Sequence, residues 1–109
     1  DLFEAMAGDG AAPPAALRVD GGMIGNDWAM QFLADILDLP VERPTQAETT
    51  ALGAAMLAGI QAGLMGGPSD LAQRWQRDSR FDPAMEAPER TRRYDGWRDA
   101  VRRTRSDVR

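Results

Sequence analysis

A chain of 109 residues, 43% hydrophobic and 28% charged, has the composition of an ordinary globular segment and the length of one domain or part of one. It has no Cys and no His, which excludes disulfides, thiolate and imidazole metal sites, Cys nucleophiles and Ser-His-Asp triads; all 13 basic residues are Arg, which excludes a Walker-A or Schiff-base lysine. The net charge of −4 divides into ten acids against two Arg over residues 1–72 and seven acids against eleven Arg over 73–109, a balance that does not mark a nucleic-acid binder.

Residues 1–7 read as the last turns of a helix, with Leu2, Phe3 and Met6 on one face. Gly8, Gly10 and Pro13-Pro14 stop it. The abrupt start suggests a segment of a larger protein. Residues 16–20, ALRVD, predict a short strand ended by Gly21-Gly22. Asn26 and Asp27 supply N-cap chemistry for a helix over 27–38, whose Ala29, Phe32, Leu33, Ile36 and Leu37 follow the spacing of a buried face.

Val41 to Arg43 predict a second short strand, ended by Pro44. Thr49 or Thr50 then caps a helix running to about Ala62. Its many Ala and Gly residues predict tight packing on a sheet or a neighbouring helix. Ser69 caps a short helix over 70–76, and residues 77–89 read as a surface loop anchored by Phe81 and Met85. A last helix over 90–105 carries a Tyr94, Trp97, Val101 stripe among arginines, and residues 106–109 read as a frayed tail. The order helix-strand-helix-strand-helix-helix-helix is an α/β pattern, and two short strands do not make a self-sufficient sheet. No run approaches the ~18 consecutive apolar residues of a membrane span. No leader pattern is visible, so the expected setting is cytoplasmic without membrane contact.

The most informative stretch is Leu17 to Asn26, LRVDGGMIGN, in which a strand runs into two glycines and a capped helix. Adjacent glycines let a flat ligand lie against the backbone, and the helix start favours anions. Asn26 offers both a donor and an acceptor, suited to an adenine edge or a ribose hydroxyl. A tight strand-to-helix turn with an Asn cap accounts for the same spacing. Gly22 and Gly25 have the spacing of the last two glycines of a GxGxxG fingerprint, but Asp20 stands where the first would be. The carboxylate pairs Asp35 with Asp38 and Glu86 with Glu89 read as solvated charges.

Leu17 to Asn26 resembles the adenosine-binding loop of sugar kinases with an actin-like ATPase (ribonuclease H-like) fold. MQFLADIL at 30–37, VERP at 41–44, TTALGAAMLAG at 49–59, Phe81-Asp82-Pro83 and RYDGW at 93–97 extend the likeness. Together they resemble the C-terminal domain of the glycerol kinase branch of the FGGY carbohydrate kinases. The resemblance implies an ATP-dependent kinase of glycerol, with ATP and Mg²⁺ as cofactors. It also implies a C-terminal, adenosine-binding domain segment over 1–105 and a homo-oligomeric, cytoplasmic parent. On matching positions it implies that Gly22 contacts adenine through its backbone, that Asn26 approaches the purine, and that Gly21 shapes the loop. Asp20 either caps the glycine turn or approaches Mg²⁺. The resemblance puts the catalytic, glycerol-binding and metal-binding residues upstream, so no catalytic residue and no metal ligand is assigned within 1–109, and this chain alone is expected to be inactive. Two other readings stay open: a sibling kinase acting on a pentulose or another polyol, and a non-catalytic interaction module.

Overall fold

The computed structural model describes residues 1–105; the tail expected at 106–109 lies outside the described residues. Its centre is a three-stranded sheet in the order β1-β2-β3. Strand β1 (Leu17–Arg18) runs parallel to β2 (Val41–Pro44), pairing Leu17 with Val41 and Arg18 with Glu42. Strand β3 (Arg77–Phe81) lies antiparallel on the other side of β2, pairing Val41 with Phe81, Glu42 with Arg80 and Arg43 with Ser79. The register shifts between Arg43 and Pro44, where proline has no N–H to give the ladder.

Between β1 and β2 the chain forms a 3₁₀ turn (Gly22–Gly25) and helix α2 (Asp27–Leu37). Helix α1 (Leu2–Gly8) precedes β1, helices α3 (Thr49–Gln61) and α4 (Pro68–Arg74) lie between β2 and β3, and α5 (Ala87–Thr104) closes the described chain. Helix α2 ends at Asp38, which takes a left-handed conformation (φ 53°), and Pro40 leads into β2.

One face of the sheet carries the core: Ile24, Met30, Ala34 and Val41 are buried, with Leu17, Val19, Ala29, Leu33 and Phe81 packed around them. The buried line of α2 therefore runs through Met30 and Ala34 rather than through the expected Phe32 and Ile36, which are half-buried. Phe32 instead stacks on Trp28, ring centroids 5.3 Å apart. The radius of gyration is 17.9 Å, against about 13 Å for a compact domain of this length. Helices α3 and α5 contribute no buried residue.

Several sequence expectations are corrected. The order is helix-strand-helix-strand-helix-helix-strand-helix, because residues 77–81 form β3 and not a loop. RDSRF lacks apolar alternation, and its pairing is written in charge: Arg77 and Arg80 donate to Glu42 Oε1 at 2.9 and 3.1 Å, while Asp78 and Ser79 meet Arg43 at 3.0 Å each. Neither Thr49 nor Thr50 caps α3: the cap position is Glu48, without a side-chain bond. Gly67, not Ser69, holds the cap position of α4, and Pro68 opens that helix. Helix α3 has no buried residue, so its Ala/Gly face lacks the tight packing expected of it; a Cβ added at Gly59 would meet the Met65 side chain.

Asp35 is half-buried and structural. Its Oδ1 accepts from the backbone N–H groups of Ala84 (2.7 Å) and Met85 (3.2 Å) and from Gln31 Nε2 (3.0 Å). The Ala84 bond is the chief reason its carboxyl lies below the usual carboxylate range. Arg90 completes this junction, donating to the carbonyls of Asp35 (2.6 Å) and Met85 (2.8 Å) and pairing with Asp38 at 2.8 Å. Along α5, Glu89 pairs with Arg92 and Arg93, and Asp99 with Arg102 and Arg103, so the basic helix neutralises much of its own charge.

Candidate functional site

The loop after β1 is held from both sides. Val19 N–H donates to the Glu42 carbonyl at 3.1 Å, continuing the β1–β2 ladder by one bond. Gly21 N–H donates to the Ala47 carbonyl at 3.3 Å, and the Asp20 carboxylate accepts from the Thr49 hydroxyl at the start of α3. Asp20 thus ties the loop to α3.

At Gly21 the backbone turns with φ 91° and ψ −178°. This region is essentially restricted to glycine, because a Cβ would collide with the neighbouring peptide. The turn that follows is closed by Ile24 N–H on the Gly21 carbonyl (3.3 Å) and Asn26 N–H on the Met23 carbonyl (3.1 Å). Ile24 drops into the core and anchors it. A Cβ added at Gly22 would meet nothing within 4 Å, so that side of the turn is open.

Asn26 is the N-cap of α2. Its Oδ1 accepts from Ala29 N–H at 3.1 Å, which satisfies one of the orphan amides of the first turn. With the oxygen committed, the exposed side chain still has its Nδ2 donors to offer. The three residues singled out by the sequence, Gly21, Gly22 and Asn26, therefore share one surface turn.

Sequence reasoning missed Arg43. Its Nη1 donates to the Ile24 carbonyl (2.9 Å) and to Asp27 Oδ1 (2.6 Å), its Nε to Asp78 Oδ2 (3.0 Å), and its Nη2 to Ser79 Oγ (3.0 Å). The Asp27 carboxylate is the main reason the guanidinium is held even more firmly protonated than usual. Asp78 is held below the usual carboxylate range, first by the Ser79 hydroxyl and then by Arg43. The available signal was the arginine in VERP, a charge at an inward-alternating strand position beside Val41.

The turn suits a flat polar ligand: open space above Gly22, a helix start and amide donors on Asn26. Among the described residues no three acidic side chains converge as a metal site. No helix among them is long and apolar enough to cross a membrane.

A family model described as the FGGY family of carbohydrate kinases, C-terminal domain, matches residues 1–62. The chain is 63% identical over 106 residues to a glycerol kinase of Rhodospirillum centenum, covering 97% of this chain and 21% of the relative. It is 59% identical over 107 residues to a glycerol kinase of Ectopseudomonas mendocina, covering 98% of this chain and 22% of the relative. The chain thus spans about one fifth of the length of these relatives. Among solved structures it is similar to a Plasmodium falciparum glycerol kinase crystallised with ADP, with TM-score 0.73 and 30% identity over 98% of this chain and 21% of that one. The strand-turn-helix loop and the small mixed sheet are thus part of the actin-like ATPase architecture. The ordered motifs, the sheet and these likenesses lead to one conclusion: the chain belongs to the FGGY family of carbohydrate kinases, its residues 1–62 matching the family's C-terminal domain.

Proposed function

We propose that residues 1–105 serve as the C-terminal, adenosine-binding segment of an ATP-dependent glycerol kinase, which moves the γ-phosphoryl group of ATP to a primary hydroxyl of glycerol. The observation that carries this reading is the 63% identity to a glycerol kinase over 97% of the chain. The similarity to a glycerol kinase crystallised with ADP supports the nucleotide part.

In this reading the backbone of Gly22 lies against the adenine, and Asn26 presents Nδ2 to the purine while Oδ1 holds α2. Gly21 gives the loop its turn. ATP is the phosphoryl donor, with Mg²⁺ neutralising its phosphates. The metal is assigned to upstream residues, as the resemblance to glycerol kinases implies. Glycerol and the catalytic residues are likewise assigned upstream. Phosphoryl transfer depends on positioning and charge stabilisation at the γ-phosphate. These residues act at the other end of the nucleotide, so the chain by itself turns over nothing. The proposal includes a cytoplasmic, homo-oligomeric parent.

The test is ADP release by the full-length protein carrying this segment, with glycerol, xylulose and ribulose offered separately and this chain alone as the blank. Glycerol-dependent turnover by the full-length protein only is the expected result. Turnover with a pentulose alone would move the protein to a sibling of the family. Absence of turnover with any of the three would refute the kinase reading.

A further inference from the structure

We infer that Arg43 is a positioning residue for nucleotide binding, fixing the turn that carries Gly22 and the start of α2 onto the β2–β3 pair; the inference rests on the adenosine reading of that turn. The turn's internal bonds, Ile24 N–H to the Gly21 carbonyl and Asn26 N–H to the Met23 carbonyl, set its shape but not its place. Its place depends on what ties it to the rest of the fold: Ile24 seated in the core, the Asp20 carboxylate on the Thr49 hydroxyl of α3, and Gly21 N–H on the Ala47 carbonyl in the loop after β2, long at 3.3 Å. The side-chain tie to the sheet itself is Arg43 of β2, which reaches the Ile24 carbonyl at 2.9 Å and Asp27 Oδ1 at 2.6 Å. These two acceptors flank Asn26 in the sequence, so one guanidinium braces the turn on either side of the residue proposed to meet the purine.

Arg43 is itself immobilised. Asp78 and Ser79 of β3 accept from its remaining edges at 3.0 Å each, and its guanidinium carbon lies 5.4 Å from the centre of the Phe81 ring. Its side chain is only 17% exposed. With its donors engaged in this way, Arg43 acts through the turn and does not touch the nucleotide. A planar fork can serve acceptors in several directions at once, and an ammonium at the end of a flexible stem cannot reproduce it. β3, the strand with no apolar pattern, thereby has a role: it supplies the two groups that hold the brace.

The neighbouring Glu42 provides the control. It is buried on the same strand and pairs with Arg77, Arg80 and, at 3.9 Å, Arg18 of β1, but among the described residues its side chain makes no hydrogen bond or ion pair with residues 21–27. A purely structural contribution of the β2–β3 charges would make its loss resemble the loss of Arg43.

The experiment measures ADP Kd by calorimetry, the KM for ATP and for glycerol, and Tm in the full-length protein, as wild type and as Arg43→Lys, Asp27→Asn and Glu42→Gln. Arg43→Lys is expected to raise the ADP Kd and the ATP KM about tenfold, below the ~100-fold that a 1 Å misplacement can produce. The glycerol KM and kcat at saturating ATP stay unchanged. Glu42→Gln lowers Tm and leaves the ADP Kd alone. Asp27→Asn removes a negative charge near an anionic ligand, which by itself would tighten binding; a weaker ADP Kd therefore reports lost placement. If Arg43→Lys does not fold, Asp27→Asn decides, because Asp27 is exposed. A wild-type ADP Kd in Arg43→Lys, or in Asp27→Asn when it alone folds, overturns the inference. So does a Glu42→Gln effect on ADP as large as that of Arg43→Lys. A wild-type protein that binds no ADP overturns the adenosine reading itself, whereas wild-type binding with an unaffected Arg43→Lys overturns only the brace.

Discussion

Asn26 is proposed to do two things with two different atoms, and a pair of substitutions separates them. Its Oδ1 caps α2 by accepting from Ala29 N–H at 3.1 Å. Its Nδ2 is the group proposed to meet the purine. Replacing Asn26 by Ala removes both and costs about 1 kcal/mol of stability through the lost cap. In a domain of this size that lowers Tm by roughly 4–8 °C, and by less in a longer chain. Replacing Asn26 by Ser keeps an N-cap oxygen and should hold stability within about 0.5 kcal/mol of wild type. Serine cannot reach the purine with an amide. One lost neutral hydrogen bond is worth about 0.5–1.5 kcal/mol, so the KM for ATP should rise roughly two- to tenfold. The assay is initial-rate kinetics of the full-length protein at saturating glycerol, beside a thermal melt of each variant. Both variants should raise the ATP KM, leave the glycerol KM alone, and differ in Tm. If Asn26→Ser keeps the wild-type ATP KM, the side chain is a helix cap and nothing more, and the purine assignment is wrong.

The two glycines make a second contrast. Gly21→Ala forces a Cβ into the φ 91° conformation and should cost about 1–3 kcal/mol, seen as a lower Tm; an unchanged Tm would show that the turn relaxes freely. Gly22→Ala should be neutral or slightly stabilising in the melt, since its Cβ meets nothing, yet raise the ATP KM by intruding on the adenine. Val41 is fully buried, so Val41→Ala should cost about 1–3 kcal/mol by removing two methyl groups and leaving a cavity; a loss below that range in chemical denaturation would mean the small core collapses around the gap. Glu89 is held down to about 2 from an ordinary 4.5, chiefly by Arg92 and then by Arg93. Because the folded-state value is the lower one, its stabilising effect is present above pH 4.5 and fades as the pH falls toward 2. Glu89→Gln should flatten that acid limb in a pH series of melts, and an unaltered limb would mean that the Glu89 pairs with Arg92 and Arg93 contribute nothing.

Much of the fold was written locally. Gly21-Gly22 followed by Asn26-Asp27 specified a turn and a capped helix, because a glycine-only conformation and an orphan amide each demand a particular residue type. Val41 could be read as strand because β-branching and a flanking proline agree there. The candidate site was legible for the same reason: a strand, two glycines and an Asn cap are contiguous in the chain. The family was legible because its motifs recur in order. β3 and Arg43 were not legible. The strand RDSRF shows no period-2 hydrophobicity, and its partners Glu42 and Arg43 lie more than thirty residues away. Charge complementarity at that separation exists only after the sheet has formed. The same holds for Asp35, which resembled a solvated acid until the Ala84 and Met85 amides folded onto it. Which face of α2 is buried was also a tertiary decision: the spacing allowed several faces, and contact with Val41 and Ile24 selected Met30 and Ala34. Properties carried by neighbours in the chain were set by the sequence itself, whereas those that depend on a distant partner, above all the Arg43 bonds that join β3, β2 and the glycine turn, were decided by the tertiary structure.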